Sequence, residues 1–362
     1  MKRPTPAFIE HAAHAAWQSK GLVSTLLWPL SLVVRAVIAR KRRRYQQHPE
    51  LTYQGSLPVL VVGNIYIGGT GKTPVAIALI QALRSQGWRP GVVSRGYGAR
   101  LGDTPRTGRG KLDPRQFGDE PALISETTDT PIAVHPNRVH ALQQLQRDYP
   151  DVDVIIADDG LQHLALGRDV EVVVQDVRGV GNGMVMPAGP LREPASRLQS
   201  VDFLITNMQA GLPDPAPLPV SARQITMRLQ PTTVVHLVSG RQLDWDVWRL
   251  EHRGQTLNAA AAIGQPQRFF AMLEHAGVKL QTTLPLPDHD AYHSSPFSAL
   301  PGAPILITSK DAVKCRRFND PRLWVVHAAP QFSDPEWMSL AGDMLRAAAR
   351  RKAGMAAGPS RH

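Results

Sequence analysis

A mostly parallel α/β sheet flanked by helices is the fold class the sequence predicts, and three observations predict it. Short runs rich in β-branched residues alternate with stretches of helical spacing, the pattern of parallel strands joined by crossover helices. A glycine-rich turn, Gly68-Gly69-Thr70-Gly71-Lys72-Thr73, sits between one such run and one such stretch. A proline-rich break from Gly211 to Val220 then separates this pattern from a shorter repeat of it. The expectation is therefore a P-loop NTPase domain, a smaller C-terminal α/β domain, and an N-terminal helix of a different kind. In residues, the divisions are 1–45 (N-terminal helix and basic collar), 46–210 (P-loop domain), 211–330 (smaller α/β domain) and 331–362 (last helix and frayed tail).

The N-terminal element comes first. Gly21 to Val34 is apolar and Arg40-Lys41-Arg42-Arg43-Arg44 follows it. As a helix the apolar stretch covers about 20 Å, short of the ~30 Å hydrocarbon core. Counting from Ala12 to Ala39 reaches that length only by including His14, Lys20 and Arg35, and Pro29 would kink the helix. Five consecutive cations after the apolar region also oppose a cleaved export signal. A half-inserted interfacial helix with a polybasic collar fits, drawing on apolar burial and on attraction to anionic lipid together. The competing reading is a helix that covers the protein's own core. If the segment spans, the basic flank puts the body of the protein in the cytoplasm.

Leu57 to Val62 reads as a buried strand, and Val75, Leu79, Ile80 and Leu83 give the following helix its apolar stripe, closed by Gly87. Further strands are expected at 91–94, 131–134, 152–157, 171–177 and 203–206, with a helix from Asn137 to about Asp148. Between Ala99 and Gly118 lies a polar, basic, Gly/Pro-rich loop, too long for a simple connector. Past the break, strands are expected at 234–239, 259–263 and 304–308, and a helix from Gln267 to His275. A capping box, Ser333-x-x-Glu336, would open the last helix, with a stripe at Trp337, Leu340, Met344 and Leu345.

Composition agrees with an intracellular globular protein. The 362 residues are 43 % hydrophobic and 20 % charged, enough apolar content to bury cores. Mean hydropathy of −0.20 excludes a polytopic membrane protein. Cys315 stands alone, which excludes an intramolecular disulfide framework and multi-cysteine metal sites. Lys plus Arg (41) exceed Asp plus Glu (30), a formal charge of +11 that points to polyanionic partners. Nucleic acid is a poor candidate, because the cations concentrate beside an apolar segment and no nucleic-acid-binding motif is present. No obligatory protein partner is evident.

The chemistry lies in the loops after strands. In the glycine-rich turn, backbone N–H groups would curl round phosphate oxygens at a helix N-terminus. The cofactor-binding candidates are Tyr66, Ile67, Gly68, Gly69, Thr70, Gly71, Lys72 and Thr73, with Tyr66 standing where the usual pattern has its first glycine. Lys72 would reach the β- and γ-phosphates of ATP. Thr73 would ligate Mg²⁺ with Asp158 and Asp159, which end the strand at 152–157. His163 reads equally as an ordinary hydrogen-bonded histidine or a catalytic one. Arg95 and Tyr97, Glu120, and the pair Arg192 and Glu193 are substrate-binding candidates; helix caps and surface ion pairs are the plainer reading of the same residues.

Together VGNIYIGGTGKTP, VVSRGYG, the GDEP pair, DDGLQH, MPAGPLREP, AAIGQPQRFF, PDH and TSKDAVKC occur in one order along residues 15–328. In these motifs the sequence closely resembles the tetraacyldisaccharide 4′-kinase family of Gram-negative bacteria. Ser309 departs from it, where the family usually has Glu before Lys-Asp. The resemblance implies transfer of the ATP γ-phosphate to the 4′-hydroxyl of a tetraacyl-disaccharide 1-phosphate, giving lipid IVA, at the cytoplasmic face of the inner membrane. It also implies that Asp119 is the catalytic base, working with His289 from the second domain in a site completed by domain closure. A P-loop ATPase or GTPase serving assembly or metal insertion is the alternative.

Overall fold

The computed structural model describes residues 17, 20–99, 101–287 and 294–356. The chain divides into two compact units: residues 1–207, 216–226 and 333–362 form the first, and 208–215 with 227–332 the second. The segment that opens the last helix thus returns to the first unit.

In the first unit, β1 (Val59–Gly63) lies between β5 (Val154–Asp158) and β6 (Val170–Asp176), parallel to both. On one side β5 continues into β2 (Pro90–Ser94) and β4 (Ile132–Val134), on the other β6 continues into β7 (Phe203–Met208), all parallel. Every residue of these six strands is buried, which is why they read as continuous apolar runs. β1 pairs with strands that follow it much later in the chain, so the sheet is doubly wound about it. Such sheets bind ligands outside the carboxyl ends of their strands.

The 99–118 segment differs from expectation. It contains β3 (Arg106–Gly108), antiparallel to β4, and a one-turn helix, α3 (Pro114–Phe117), capped by Asp113. β3 is an edge strand of three half-buried residues, too short and too polar to show alternation. Of the longer helices, α2 (Lys72–Ser85) carries the expected stripe, α4 (Asp119–Thr128) begins at the GDEP carboxylates, and α5 (Arg138–Asp148), expected from Asn137, is capped by the Asn137 side chain on the Val139 N–H.

The N-terminal helix α1 (Leu22–Gln47) runs unbroken through Pro29 and carries the basic collar within it. By length and composition alone it could cross a membrane. Its exposed residues include Leu22, Leu26, Val33 and Val37, while its two buried residues are Ser24 and Ser31. One face does cover part of the first unit's core, with Val34 and Ile38 packed half-buried against it, while the outward leucines and valines stay exposed.

In the second unit, β10 (Leu257–Ala261) pairs in parallel with β11 (Leu280–Pro285) and β12 (Ile305–Thr308). β12 is parallel to β13 (Leu323–Phe332), which runs antiparallel to β8 (Arg223–His236), and β8 carries β9 (Gln242–Asp244) at its edge. The strand expected at 234–239 is the end of this longer β8. Helices α6 (Trp245–Glu251), α7 (Pro266–His275) and α8 (Ser309–Cys315) complete the unit. Residues 211–220, expected as a linker, lie in no helix or strand.

The last helix, α9 (Trp337–Ala356), corrects two expectations. Ser333 does not act on the helix: its hydroxyl accepts the Thr226 N–H at 3.0 Å, and the Asp334 carboxylate instead accepts the Glu336 N–H. The buried stripe is Trp337, Ala341, Leu345 and Ala348, and Leu340 is exposed. Trp337 is fully buried, its ring 5.5 Å from that of Phe203. Trp337→Ala should destabilise the first unit by about 3–5 kcal/mol, the usual cost of emptying a large core site. Urea unfolding measures this, and a loss below about 1 kcal/mol would show that α9 is not part of that core.

Candidate functional site

Five strand ends converge on the glycine-rich loop. β1 delivers Asn64, β2 ends in Ser94, β5 in Asp158, β6 in Asp176, and β7 supplies Asn207. Two of these brace the loop directly. The Asn64 amide donates to the Gly68 carbonyl at 3.0 Å and to Thr70 Oγ1 at 3.3 Å, and the Asn207 amide donates to the Thr70 carbonyl at 3.1 Å. Gly68 and Gly71 have φ of 92° and 96°, a conformation that only glycine adopts without strain. A side chain built at Gly68 or Gly69 would meet no atom within 4 Å, so open space lies over the loop where phosphate oxygens belong.

Not every candidate in this loop faces that space. The Ile67 N–H is donated to the Pro190 carbonyl at 2.9 Å, and Thr70 is fully buried. Tyr66 is buried too, with the Arg178 guanidinium 4.3 Å above its ring. Arg178 in turn bonds the Asp176 carboxylate and the Gly69 carbonyl. Asp176 and Arg178 thus fix the shape of the loop from below.

Lys72 opens α2 with its side chain only 8 % exposed, and its Nζ lies 3.4 Å from Asp159 Oδ1. Arg192 donates to both Asp159 oxygens at 3.0 Å. Burial acts to raise the Asp159 pKa, but Lys72 and Arg192 outweigh it and hold the carboxyl below its ordinary range. Asp159 adopts φ of 47°, an uncommon conformation for a residue with a side chain. This strain sits where β5 turns into the site.

Its neighbour Asp158 behaves in the opposite way. The side chain is 1 % exposed; Oδ2 accepts the Ser94 hydroxyl at 3.0 Å, and Oδ1 has no hydrogen-bond partner. Burial, then Glu120 and Asp159, push its pKa up to about 7, against the opposing effects of Lys72 and Ser94. A buried carboxylate oxygen with no partner, facing a second carboxylate, fits a cation. Among the described residues no three His, Cys, Asp or Glu side chains cluster as a metal cage. Mg²⁺ takes one or two protein oxygens and completes its shell with phosphate and water. Thr73, in the first turn of α2, is the other protein ligand the sequence indicates.

The remaining candidates fall into two groups. Arg95 and Tyr97 are exposed after β2, Asp119 is exposed in the first turn of α4, and Glu120 beside it is half-buried. Gly118 before them has φ of 91°, and a side chain there would lie 2.7 Å from the Tyr97 carbonyl, so the two loops pack backbone to backbone. Glu193, by contrast, is 4 % exposed, accepts from Gln162 at 2.9 Å and faces Arg197 Nε at 3.6 Å. It braces the site from inside. His289 lies outside the described residues.

Arg138 and Gln162 escaped the sequence reading. Arg138 is 5 % exposed and donates to the Asp159 carbonyl at 3.3 Å. Gln162 also donates to the Asn64 carbonyl at 3.0 Å, tying the DDGLQH loop to the phosphate loop. His163 is pushed down to about 4, by burial first and then by Arg138, Arg168 and Lys41, so its ring is neutral at pH 7. Only the identity of Gln162 within its motif offered a signal; the position of Arg138 depends on the docking of α5.

Known proteins similar to this chain belong to one family. The family profile described as Tetraacyldisaccharide-1-P 4′-kinase matches residues 23–345. A tetraacyldisaccharide 4′-kinase of Bordetella petrii is 50 % identical over 335 residues, covering 90 % of this chain and 94 % of that one. Another, of Herminiimonas arsenicoxydans, is 42 % identical over 338 residues, covering 90 % and 93 %. A crystal structure of "apo" form LpxK from Aquifex aeolicus in complex with ATP is similar in fold, with a TM-score of 0.74 at 20 % identity. It covers 90 % of this chain and 99 % of that chain.

The Asp158 pKa yields a test on the protein without nucleotide or metal. The folded-state value, about 7, lies above the ordinary 3.8, so ionisation opposes folding. The wild type therefore loses stability as pH rises between these two values, and the loss is complete above the upper one. Asp158→Asn should melt higher than wild type by a margin that grows from about pH 4 to about pH 7 and is then constant. Thermal melts across that range measure it, and a margin that is flat or shrinks with pH would contradict the assignment.

Proposed function

This chain belongs to the tetraacyldisaccharide-1-P 4′-kinase family, and from that premise we propose that it transfers the ATP γ-phosphate to the 4′-hydroxyl of a tetraacyl-disaccharide 1-phosphate, the lipid A step that gives lipid IVA. One observation carries this reading onto the molecule: the braced phosphate loop holds a buried Lys72 paired with Asp159, and the adjacent Asp158 keeps a buried Oδ1 with no hydrogen-bond partner.

The roles combine charge and position with what the family resemblance implies, above all for Asp119. With nucleotide bound, the Lys72 ammonium exchanges Asp159 for β- and γ-phosphate oxygens, and Arg192 keeps Asp159 compensated. Thr73 and Asp158 would hold Mg²⁺, which supplies charge neutralisation between the β- and γ-phosphates. Asp119 is the base. Its carboxylate takes the proton of the 4′-hydroxyl as that oxygen bonds to the γ-phosphorus and the bond to the β,γ-bridging oxygen breaks. Its exposure in the first turn of α4 supports the role, because the helix N-terminus favours a carboxylate there and an incoming sugar has access. Arg95, Tyr97 and Glu120 surround the same opening and are the substrate contacts.

The glycolipid resides in a membrane, and α1 provides the means to meet it. Leucines and valines on its outward face enter the acyl boundary while Arg40 to Arg44 meet anionic headgroups. If α1 spans, the excess of cations flanking its apolar stretch favours the cytoplasmic face of the inner membrane for the body of the protein. An assembly or metal-insertion NTPase would need no such helix.

The test is incubation with γ-labelled ATP, Mg²⁺ and tetraacyl-disaccharide 1-phosphate. Label should appear in the lipid, and Lys72→Ala should reduce the transfer at least about 10²-fold by removing charge stabilisation at the transferred group. Hydrolysis of ATP with no labelled lipid would favour the NTPase reading, and undiminished transfer by Lys72→Ala would refute the loop assignment.

A further inference from the structure

The inward face of helix α1 is mixed: two buried serines share it with the half-buried Leu27, Val34 and Ile38. Ser24 and Ser31, seven residues and two turns apart, share the face that packs on the protein, and they are 1 % and 5 % exposed. Leu22 and Leu26 on the other face are 85 % and 80 % exposed. A membrane anchor has no need of hydroxyls on its inner face, so the contacts those hydroxyls make call for a separate explanation.

Those contacts all fall on one segment. Ser31 Oγ donates to the Val185 carbonyl at 2.7 Å and accepts the Ala188 N–H at 2.8 Å. Asn182 donates to Ser24 Oγ at 3.1 Å and to the Ala188 carbonyl at 2.9 Å. Trp17 adds two more, its indole donating to the Pro187 carbonyl and its own carbonyl accepting the Asn182 N–H. Within two to four residues of Ala188 the same segment reaches the site. The Pro190 carbonyl accepts the Ile67 N–H at 2.9 Å, and the Arg192 N–H donates to the Ile65 carbonyl at 2.6 Å. The Arg192 guanidinium then holds Asp159, which faces Lys72. A continuous line of short bonds therefore runs from the buried hydroxyl of α1 to the phosphate loop.

We infer that Ser31 is a positioning residue for phosphoryl transfer: its hydroxyl fixes segment 182–193, and through it Arg192 and the phosphate loop, to the membrane-facing helix. The two faces of α1 then have different tasks. The outward face meets the lipid, and the inward face sets the geometry of the nucleotide site. Without the Ser31 hydroxyl, the Ala188 N–H loses its partner and the Val185 carbonyl keeps only the Gly189 N–H at 3.3 Å, and the segment shifts to compensate. Misplacement of about 1 Å at a transferring group is enough to cost orders of magnitude in rate.

The inference rests on the kinase reading, and the test separates the two. Thr and Val share one shape and differ by a hydroxyl, so full-length Ser31→Thr and Ser31→Val are compared with wild type in lipid–detergent micelles. The measurements are kcat and both KM values per folded molecule, together with co-sedimentation on vesicles containing anionic phospholipid. Ser31→Val should lower kcat at least about tenfold, Ser31→Thr should retain most of it, and all three proteins should sediment alike. A wild-type kcat in Ser31→Val, or equal losses in Val and Thr, would overturn the positioning role. So would a change confined to the KM for lipid that follows loss of sedimentation, since that describes an anchor. A wild type that transfers no phosphate to the lipid would overturn the kinase reading itself.

Discussion

A lysine ammonium buried at the start of a helix must have a counter-charge, and much of the site is arranged around that of Lys72. A buried cation left alone is strongly destabilising, and the helix N-terminus beside it is itself electropositive. Asp159 meets the need at 3.4 Å, but doing so requires a left-handed backbone at the end of β5 and a second cation, Arg192, on its other side. Arg192 is held in turn by the backbone of Ile65, and its segment is held by α1. Each contact makes sense only with the next. The arrangement is a phosphate site whose anion is supplied internally by Asp159.

The adjacent carboxylates show how environment divides labour between identical groups. Asp159 faces Lys72 and Arg192 and ionises readily; Asp158, one residue earlier, is buried against Glu120 and is pushed up to about 7. The first is paired as a phosphate would be, and the second, proposed above as a cation ligand, is costly to ionise without a cation. Cation binding and ionisation of Asp158 are therefore coupled, because the group that binds is the group that burial disfavours.

The strongest local signals in the sequence were the reliable ones. Buried parallel strands are continuous apolar runs, and α2 and α5 announced themselves through a stripe, an Asn137 cap and a closing Gly87. Elements at edges were not legible. β3 and β11 are half-exposed, β8 extends well before the apolar residues that marked its end, and the 99–118 stretch held structure where composition suggested a loop. Ser333 and Glu336 had the spacing of a capping box, yet Thr226 takes the Ser333 hydroxyl, a competition no local pattern reveals. In the site, the residues of the phosphate loop and the Asp158–Asp159 pair were visible because each follows a strand. Arg138, Asp176, Arg178 and Ser31 were not, since only topology brings them to the loop. The inward serines of α1 were hidden for the same reason: spacing identifies an apolar helix but not which of its faces packs inward.

The central claim is that an incoming nucleotide takes over the counter-charge role that Asp159 fills for Lys72. A crystal structure of the full chain with Mg²⁺ and a non-hydrolysable ATP analogue tests it most directly. The account requires Lys72 Nζ to have left Asp159 for β- or γ-phosphate oxygens, Asp159 to have stayed on Arg192, and the metal to lie beside Thr73 and the free oxygen of Asp158. Phosphates bound away from the Gly68–Thr73 loop, with Lys72 still paired to Asp159, would contradict it.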